Sequence, residues 1–185
     1  MHWTTIIVLV VVILLILFII SCYNKLVRQK VIVEEAFATM DVYLKKRFDL
    51  IPNLVETVKG YAKHEQGTLE KIIGLRSGNY SGMSEEEKME NAAAISRAIP
   101  QIMALAESYP DLKANQNFME LNAQLQRVEE DIANSRKYYN GAVRNYNVTV
   151  QTIPTNIIAN MFHFERKRMY EVENAQEREN VQVKF

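Results

Sequence analysis

Residues 118–146, FMELNAQLQRVEEDIANSRKYYNGAVRNY, decide the fold, because their apolar side chains recur at alternating intervals of three and four residues. The repeating set is Phe118, Leu121, Leu125, Val128, Ile132, Tyr139, Ala142 and Tyr146. This spacing places a continuous apolar stripe on one face of an α-helix and is typical of helices that pack in bundles. The chain of 185 residues contains only four prolines and six glycines, a composition that suits long helices better than a sheet with many turns.

The segment upstream carries the same helical spacing and then reaches a proline. Its apolar positions are Val33, Phe37, Met40 and Leu44. Arg47, Asp49 and Pro52 predict a break or kink after this stripe, because proline cannot donate a hydrogen bond to the carbonyl four residues back. We therefore expect the first helix to continue from the N-terminal segment without a linker and a second helix to cover residues 50–77.

Two further helices are predicted from their local start and stop signals. Ser84 followed by Glu87 has the spacing of a capping box, so a third helix should begin there and end near Tyr109. Pro100 lies inside this helix and should kink or split it. A short apolar helix is expected at residues 155–162. The fold class is therefore all-α, with an N-terminal transmembrane helix followed by an up-and-down four-helix bundle of long antiparallel helices.

The N-terminal segment is predicted to cross a membrane. Residues 3–21, WTTIIVLVVVILLILFIIS, carry no charge, and about twenty helical residues cover the ~30 Å hydrocarbon core of a bilayer. We expect residues 1–22 to form a single-pass transmembrane anchor in a bacterial plasma membrane, with the lipid bilayer as a partner. Because Lys25, Arg28 and Lys30 follow the span, the N-terminus should lie outside and the C-terminal domain in the cytoplasm.

The alternative for the same segment is lipid modification. Residues 19–22, Ile-Ile-Ser-Cys, resemble a bacterial lipobox, which would make Cys22 the lipidated N-terminus and place the domain outside the cytoplasm. That processing needs a basic start, which this sequence lacks. In either case we expect a helical-bundle domain at residues 23–163 and a mixed-charge tail at residues 164–185, mobile from Glu165 until its last residues.

The composition argues against several classes of function. The chain has 22 basic and 22 acidic residues, so it lacks the positive excess that nucleic-acid binding requires. Its histidines, at positions 2, 64 and 163, are scattered, and no second histidine completes an H-E-x-x-H motif, so no metal or other cofactor is expected. With no glycine-rich phosphate loop and no set of catalytic partners, we identify no catalytic residue and no small-molecule substrate.

Three glycines of the predicted second helix form a candidate contact surface. On a helical wheel of residues 50–77, Gly60, Gly67 and Gly74 lie seven apart on the face opposite the apolar stripe. That face also carries Asn53, Glu56, His64 and Lys71. Each glycine inside a helix costs ~1 kcal/mol relative to alanine. We hypothesise that the face receives another helix, from a second copy or another membrane protein. The alternative is that the helix tolerates the glycines because its inner face stabilises it.

Several blocks of sequence resemble one known family. They are residues 45–65 (KKRFDLIPNLVETVKGYAKHE), 109–132 (YPDLKANQNFMELNAQLQRVEEDI), 136–147 (RKYYNGAVRNYN) and 153–162 (IPTNIIANMF). Together they resemble the LemA family. The resemblance implies a single-pass membrane protein with a helical-bundle domain, similar also to a group of proteins of magnetosome membranes. The family has no established enzymatic reaction, so no catalytic residue is implied.

These observations together predict a non-enzymatic membrane protein. We expect its helical bundle to self-associate or to act as a scaffold for partners at the membrane, by docking helix on helix. The alternative is a regulatory adaptor of a membrane-embedded enzyme, such as a protease.

Overall fold

The computed structural model is all-α across the residues it describes, 2–62, 66–74 and 79–170, without the side chains of Gln66, Thr68 and Lys71. The predicted all-α class is therefore confirmed. The helices are α1 (His2–Lys59), α2 (Gln66–Gly74), α3 (Glu85–Ser108), α4 (Pro110–Lys113), α5 (Gln116–Gln151) and α6 (Thr155–Met161). A single 3₁₀ turn, Tyr80–Gly82, precedes α3.

Helix α1 joins the apolar segment directly to the rest of the chain, as predicted. Of the helices in the described ranges, it is the one long and apolar enough to cross a membrane, and its most apolar window has a mean hydropathy of 3.5. Large apolar side chains between Trp3 and Phe18 are exposed on all sides of the helix. A helix that is apolar all round is stable when lipid or protein surrounds it, so this half of α1 indicates membrane association.

The predicted break at Pro52 is wrong, since α1 passes Asp49 and Pro52 and ends at Lys59. The apolar face keeps its register through the proline, with five buried side chains: Phe48, Ile51, Leu54, Val55 and Val58. Burying this continuous face outweighs the backbone hydrogen bond that the proline removes. The predicted helix over residues 50–77 is therefore divided. Its first part belongs to α1, and its second part contains the shorter helix α2.

The chain forms two compact units. The anchor unit consists of Met1–Ala38 and Lys137–Met169, and the bundle unit consists of Thr39–Arg136 and Tyr170–Phe185. Helices α1 and α5 each contribute residues to both units.

Within the bundle unit, α1 and α3 run in the same direction. Lys88 of α3 contacts Asp41 of α1, and Ser96 contacts Arg47, so residue numbers rise together along both helices. The short helix α2 lies between them in the chain and packs against α3.

Helix α5 runs in the opposite direction to α1. In the bundle unit, Glu129 contacts Arg47 and Asn115 contacts Tyr61, so residue numbers fall along α5 as they rise along α1. In the bundle unit, α1 and α3 therefore run in one direction and α5 in the other, which is compatible with an up-and-down bundle.

The ends of α3 follow its sequence signals. Ser84 accepts a hydrogen bond from the backbone N–H of Glu87, and the Glu87 carboxylate accepts one from the backbone N–H of Ser84, which is the predicted capping box. The helix ends at Ser108, before Pro110. Pro100 does not split it, because buried apolar side chains continue on both sides of the proline.

Within the anchor unit, α5 and α6 form a helical hairpin against α1. Tyr139 of α5 packs edge to face on Phe37 with ring centroids 5.7 Å apart. After the cis Ile153–Pro154 peptide bond, α6 leads to Phe162, whose ring centroid lies 4.9 Å from that of Tyr23. The predicted short helix at residues 155–162 is therefore present as α6, Thr155–Met161.

The segment after α6 is fixed against α5. The Asn147 side chain donates a hydrogen bond to the carbonyl oxygen of Lys167 at 2.8 Å and accepts one from its backbone N–H at 2.9 Å. The Tyr139 hydroxyl donates to the carbonyl oxygen of Arg168 at 2.9 Å. The expectation that the tail is mobile from Glu165 onwards is therefore wrong for residues 165–170. Residues 171–185 lie outside the described part of the chain.

Candidate functional site

A buried guanidinium lies in the core of the bundle unit. The Arg47 side chain is only 1% exposed, and its Nη1 donates to Glu129 Oε1 at 2.9 Å. Nη1 also lies 2.9 Å from Ser96 Oγ, and Nη2 donates to the carbonyl oxygen of Ala92 at 2.8 Å. Arg47 thus connects α1, α3 and α5, a role that its prediction as a kink residue did not include.

The two partners of this ion pair have different access to water. Glu129 is 37% exposed, whereas Arg47 is buried, so only the cation depends fully on protein partners. Within the described residues, Nε of Arg47 has no hydrogen-bond partner. Tyr170 lies at the same cluster, with the Arg136 guanidinium 5.7 Å from its ring centroid. Burial raises the pKa of Tyr170, while the positive charges of Arg47 and Arg136 and a hydrogen bond from Arg47 oppose that rise.

A second polar cluster connects α1 to the start of α3. The Tyr80 hydroxyl donates to Asp41 Oδ1 at 2.7 Å, and Lys88 Nζ donates to Asp41 Oδ2 at 2.6 Å. Lys88 Nζ also lies 5.1 Å from the centroid of the Tyr80 ring. Burial of Tyr80, its hydrogen bond to Asp41 and the charge of that carboxylate raise the tyrosine pKa well above its ordinary value. Tyr80 therefore stays protonated and keeps donating to Asp41 at neutral pH.

The chemistry available to the two clusters is structural. Both oxygens of Asp41 accept hydrogen bonds from neighbouring side chains, and both terminal nitrogens of Arg47 donate to protein oxygens. Groups engaged in this way fix the relative positions of the helices that carry them. Among the described residues, no three His, Cys, Asp or Glu side chains are grouped closely enough to hold a metal ion.

The predicted small-residue face is only partly described, and its members do not share one helix. Asn53, Glu56 and Gly60 are exposed at the end of α1, and Gly67 and Gly74 are exposed on α2. His64 and the side chain of Lys71 lie outside the described residues. Because α1 ends before Gly60 and α2 begins at Gln66, the wheel that placed three glycines seven apart on one helix does not hold. The idea that this region receives another helix stays a prediction.

The glycines of this region have no packing role that the structure reveals. Among the described residues, a Cβ atom on Gly67 or on Gly74 would meet no atom within 4 Å, and one on Gly60 would lie 3.5 Å from the carbonyl oxygen of Thr57, an ordinary contact. Alanine would therefore fit at all three positions.

Gly141 of α5 shows the same property more clearly and was not among the residues predicted from the sequence. It lies well inside a helix of 36 residues, and a Cβ atom there would meet no atom within 4 Å in the part of the chain that the structure describes. On the helical wheel it lies opposite the buried side chains of Tyr139 and Tyr146, and its neighbours Tyr138 and Asn145 are exposed. A wheel drawn for residues 118–146 would have found it, since Gly141 lies on the side away from the apolar stripe.

Cys22 lies at the end of the apolar segment of α1. Its free thiol is buried, and it lines a cleft of about 390 Å³ in the anchor unit together with Phe18, Lys25, Thr149 and Ile153. Lipid modification of Cys22 stays a prediction, because no observation bears on it.

These features define a class of membrane-associated, helical-bundle protein in which polar clusters bind helices together. The sequence profile of the LemA family matches residues 36–185, and the chain belongs to the LemA family. The match covers nearly all of the chain beyond the apolar segment, including both polar clusters.

Named proteins similar to this chain include LemA and magnetosome proteins. The protein LemA of Metamycoplasma hominis is 24% identical over 137 residues, which cover 74% of this chain and 63% of that protein. Magnetosome protein MamQ 2 of Paramagnetospirillum magneticum is 21% identical over 175 residues, covering 80% of this chain and 64% of the relative. Magnetosome protein MamQ of Magnetospirillum gryphiswaldense is 20% identical over 170 residues, covering 78% and 62%. The chain thus spans less than two thirds of these relatives, and none of their names states an enzymatic activity.

Proposed function

We propose that this chain is a non-enzymatic, single-pass membrane protein whose helical bundle self-associates and so forms a scaffold at the membrane. Membrane association rests on the apolar half of α1. Self-association is supported by glycines in two regions of the chain, and it has to be tested by experiment.

The observation that carries the proposal is Gly141. A glycine inside a helix costs ~1 kcal/mol relative to alanine, and a Cβ atom at this position would meet no atom of the described residues within 4 Å. Packing among the described residues therefore gives no reason for glycine. A second helix that approaches α5 closely would give one, because small residues let helix backbones come together. The exposed ring of Tyr138, three residues earlier, adds the kind of aromatic contact that protein interfaces favour.

The region of Gly60, Gly67 and Gly74 is a second candidate contact surface of the same kind. Its glycines are exposed and leave room for a side chain, and Asn53 and Glu56 are exposed nearby. Both regions agree with docking of helix on helix.

The placement of the domain in the cytoplasm is also part of the proposal. Lys25, Arg28 and Lys30 follow the span and support it through the positive-inside rule. Protease treatment of spheroplasts and of inverted membrane vesicles tests it. Digestion of the bundle in inverted vesicles alone is expected, and digestion in intact spheroplasts would reverse the orientation.

Self-association is tested by the molecular mass of the full chain in lipid nanodiscs or mild detergent. Gly141→Leu places a large side chain in space that is open within the chain, so the fold should survive while close helix approach is blocked. We expect a larger fraction of monomer for Gly141→Leu than for the unaltered chain. Ala104→Leu is the matched control, since Ala104 is a small exposed residue on α3.

Three results would change the proposal. An unaltered chain that is monomeric at all concentrations contradicts it, and so does a Gly141→Leu variant that associates as well as Ala104→Leu does. A membrane enzyme that co-purifies with the chain at constant stoichiometry would favour the adaptor function instead.

A further inference from the structure

The turn between α5 and α6 lies beside the end of the apolar segment of α1. Phe18 and Lys25 of α1 line the same cleft as Val148 and Ile153, so the turn is close to the residues at which the apolar segment ends. The chain then returns along α1, as Phe162 packs on Tyr23 with ring centroids 4.9 Å apart. Any membrane that covers α1 up to Phe18 therefore reaches this turn.

The turn exposes apolar side chains that an aqueous surface would not favour. Ile153, Ile157 and Met161 follow one another at intervals of four residues and are 76%, 62% and 56% exposed. The opposite side of α6 is also apolar, because Ile158 and Ala159 are buried against the anchor unit. A helix with two apolar sides needs a second apolar environment, and the bilayer beside α1 provides one.

Three polar side chains at the turn, those of Gln151, Thr152 and Thr155, donate hydrogen bonds to nearby backbone carbonyl oxygens, whereas the buried Oδ1 of Asn156 has no partner among the described residues. The Thr152 hydroxyl donates to the carbonyl oxygen of Val148 at 2.6 Å, and the Thr155 hydroxyl donates to that of Thr152 at 3.0 Å. Gln151 Nε2 donates to the carbonyl oxygen of Asn147 at 2.9 Å. Groups bonded in this way cost less to remove from water, which suits a segment at a lipid boundary.

The charge of the anchor unit complements anionic lipid. The unit contains eight Lys and Arg residues and three Glu residues, a net charge of +5, although the whole chain is neutral. Lys25 is exposed and lines the cleft beside the turn. A lysine one turn beyond the apolar segment is placed at the depth of the lipid phosphate.

We propose that the α5–α6 turn is a second membrane contact, in which Ile153, Ile157 and Met161 enter the leaflet and Lys25 binds the headgroup of an anionic phospholipid. This inference rests on the membrane placement of α1 in the proposed function but not on self-association. The partner is the bilayer itself. The chain would then contact the membrane at two places, through the apolar segment of α1 and through the α5–α6 turn beside it.

The depth of the turn is measured by tryptophan quenching in the full chain. Trp3 is replaced by Phe, and a single Trp is introduced by Ile157→Trp, Leu9→Trp or Val42→Trp in separate variants. Each is reconstituted in nanodiscs with phospholipids brominated on the acyl chain. Val42 is an exposed apolar residue of α1 that lies about 30 Å beyond Cys22 by helical rise, so it serves as the control outside the membrane.

We expect strong quenching for Leu9→Trp and Ile157→Trp and weak quenching for Val42→Trp. Quenching of Leu9→Trp alone overturns the inference and leaves the membrane anchor intact. Quenching of none of the three overturns both the anchor and the inference. Equal quenching of all three also contradicts it, because the contact would then not be confined to the turn.

The headgroup is tested with brominated phosphatidylglycerol and brominated phosphatidylcholine, each as a minor component around Ile157→Trp. We expect phosphatidylglycerol to associate more strongly, and Lys25→Gln to reduce this preference about fivefold. Lys46→Gln, which removes an exposed lysine farther along α1, should leave the preference unchanged. Equal association of the two lipids, or equal effects of the two substitutions, would remove Lys25 from the site.

Discussion

The two units of this chain place charge and apolar surface in opposite ways. The bundle unit encloses a charged side chain, Arg47, which is only 1% exposed. The anchor unit exposes apolar side chains, including Ile153 on the α5–α6 turn, which is 76% exposed. The anchor unit carries a net charge of +5, and the remainder of the neutral chain therefore carries −5.

The difference shows that each unit is adapted to its own surroundings. In the bundle unit, water covers the outside, so the buried cation is stable only because protein oxygens replace its hydration. In the anchor unit, the proposed contact with lipid accounts for the apolar side chains that face outward and for the basic residues that follow them. We therefore expect loss of the polar partners of Arg47 to destabilise the bundle unit. We expect loss of the hydrogen bonds between Asn147 and Lys167 to destabilise the anchor unit.

The largest effect is expected from Glu129→Leu. This change removes the carboxylate that pairs with the buried Arg47 guanidinium, so the free energy of unfolding of the full chain in detergent should fall by about 3–5 kcal/mol. Arg47→Met should cost less, about 1–3 kcal/mol, because Glu129 can turn to water. Denaturant titration followed by circular dichroism measures both.

The double variant Arg47→Met, Glu129→Leu gives the decisive comparison. Its loss should be smaller than the sum of the two single losses, since no charge remains buried. Additive losses, or a larger cost for Arg47→Met than for Glu129→Leu, would contradict the idea that the cation is the partner that depends on protein.

The second effect concerns the hydrogen bonds that hold the segment after α6 against α5 in the anchor unit. Asn147→Ala removes two hydrogen bonds to the backbone of Lys167, a loss of about 2 kcal/mol, so opening of residues 163–170 should increase roughly 30-fold. Trypsin should then cleave after Arg166, Lys167 or Arg168 faster by a similar factor.

The control for this experiment is Asn134→Ala, which replaces an exposed asparagine on the same helix. Its cleavage rate should match that of the unaltered chain. If Asn147→Ala also leaves the cleavage rate unchanged, the hydrogen bonds of Asn147 do not hold the segment in place, and other contacts do.

The parts of the fold that the sequence predicts are those with local causes. The capping box at Ser84 and the proline after Tyr109 determine the ends of α3 because they act within one helical turn. The break at Pro52 was predicted in error because burial of α1 against distant helices outweighs the local defect. The sequence suggested an ion-pair role for Arg47 but not its partner, since Glu129 is 82 residues away.

The two candidate surfaces, at Gly141 and at the α5–α6 turn, also differ in whether a local sequence pattern predicts them. Gly141 could have been found from the helical wheel alone, because the pattern around it is local. The contact of the α5–α6 turn with α1 depends on tertiary packing, so no spacing in residues 148–162 predicts it. Spacing predicts which side of a helix is apolar, but not whether lipid, a second copy or water lies beside the other side.

The third effect is a pH dependence of stability that we expect from the bundle unit and not from the anchor unit. The pKa of Tyr80 is raised in the folded chain, so the unfolded chain loses this proton first, from about pH 10. Stability from this group is complete below that pH and falls as pH rises, by at most about 1.4 kcal/mol per pH unit. Tyr80→Phe should flatten the decline in the free energy of unfolding above pH 10. Tyr138→Phe, at an exposed position of the anchor unit, should not.

The smallest effect tests the predicted small-residue face of the bundle unit. Gly67 is the second residue of α2, and no atom of the described residues lies within 4 Å of its Cβ position, so Gly67→Ala should raise the free energy of unfolding by about 0.5–1 kcal/mol if only the chain itself matters. If another helix docks there, the added methyl should also lower the oligomeric fraction measured in nanodiscs. Gly82→Ala, in the 3₁₀ turn, is the control, because its Cβ would make only ordinary contacts with Asn79. A gain in stability with unchanged association would leave the glycines of this face as tolerated residues and confine self-association to the region of Gly141.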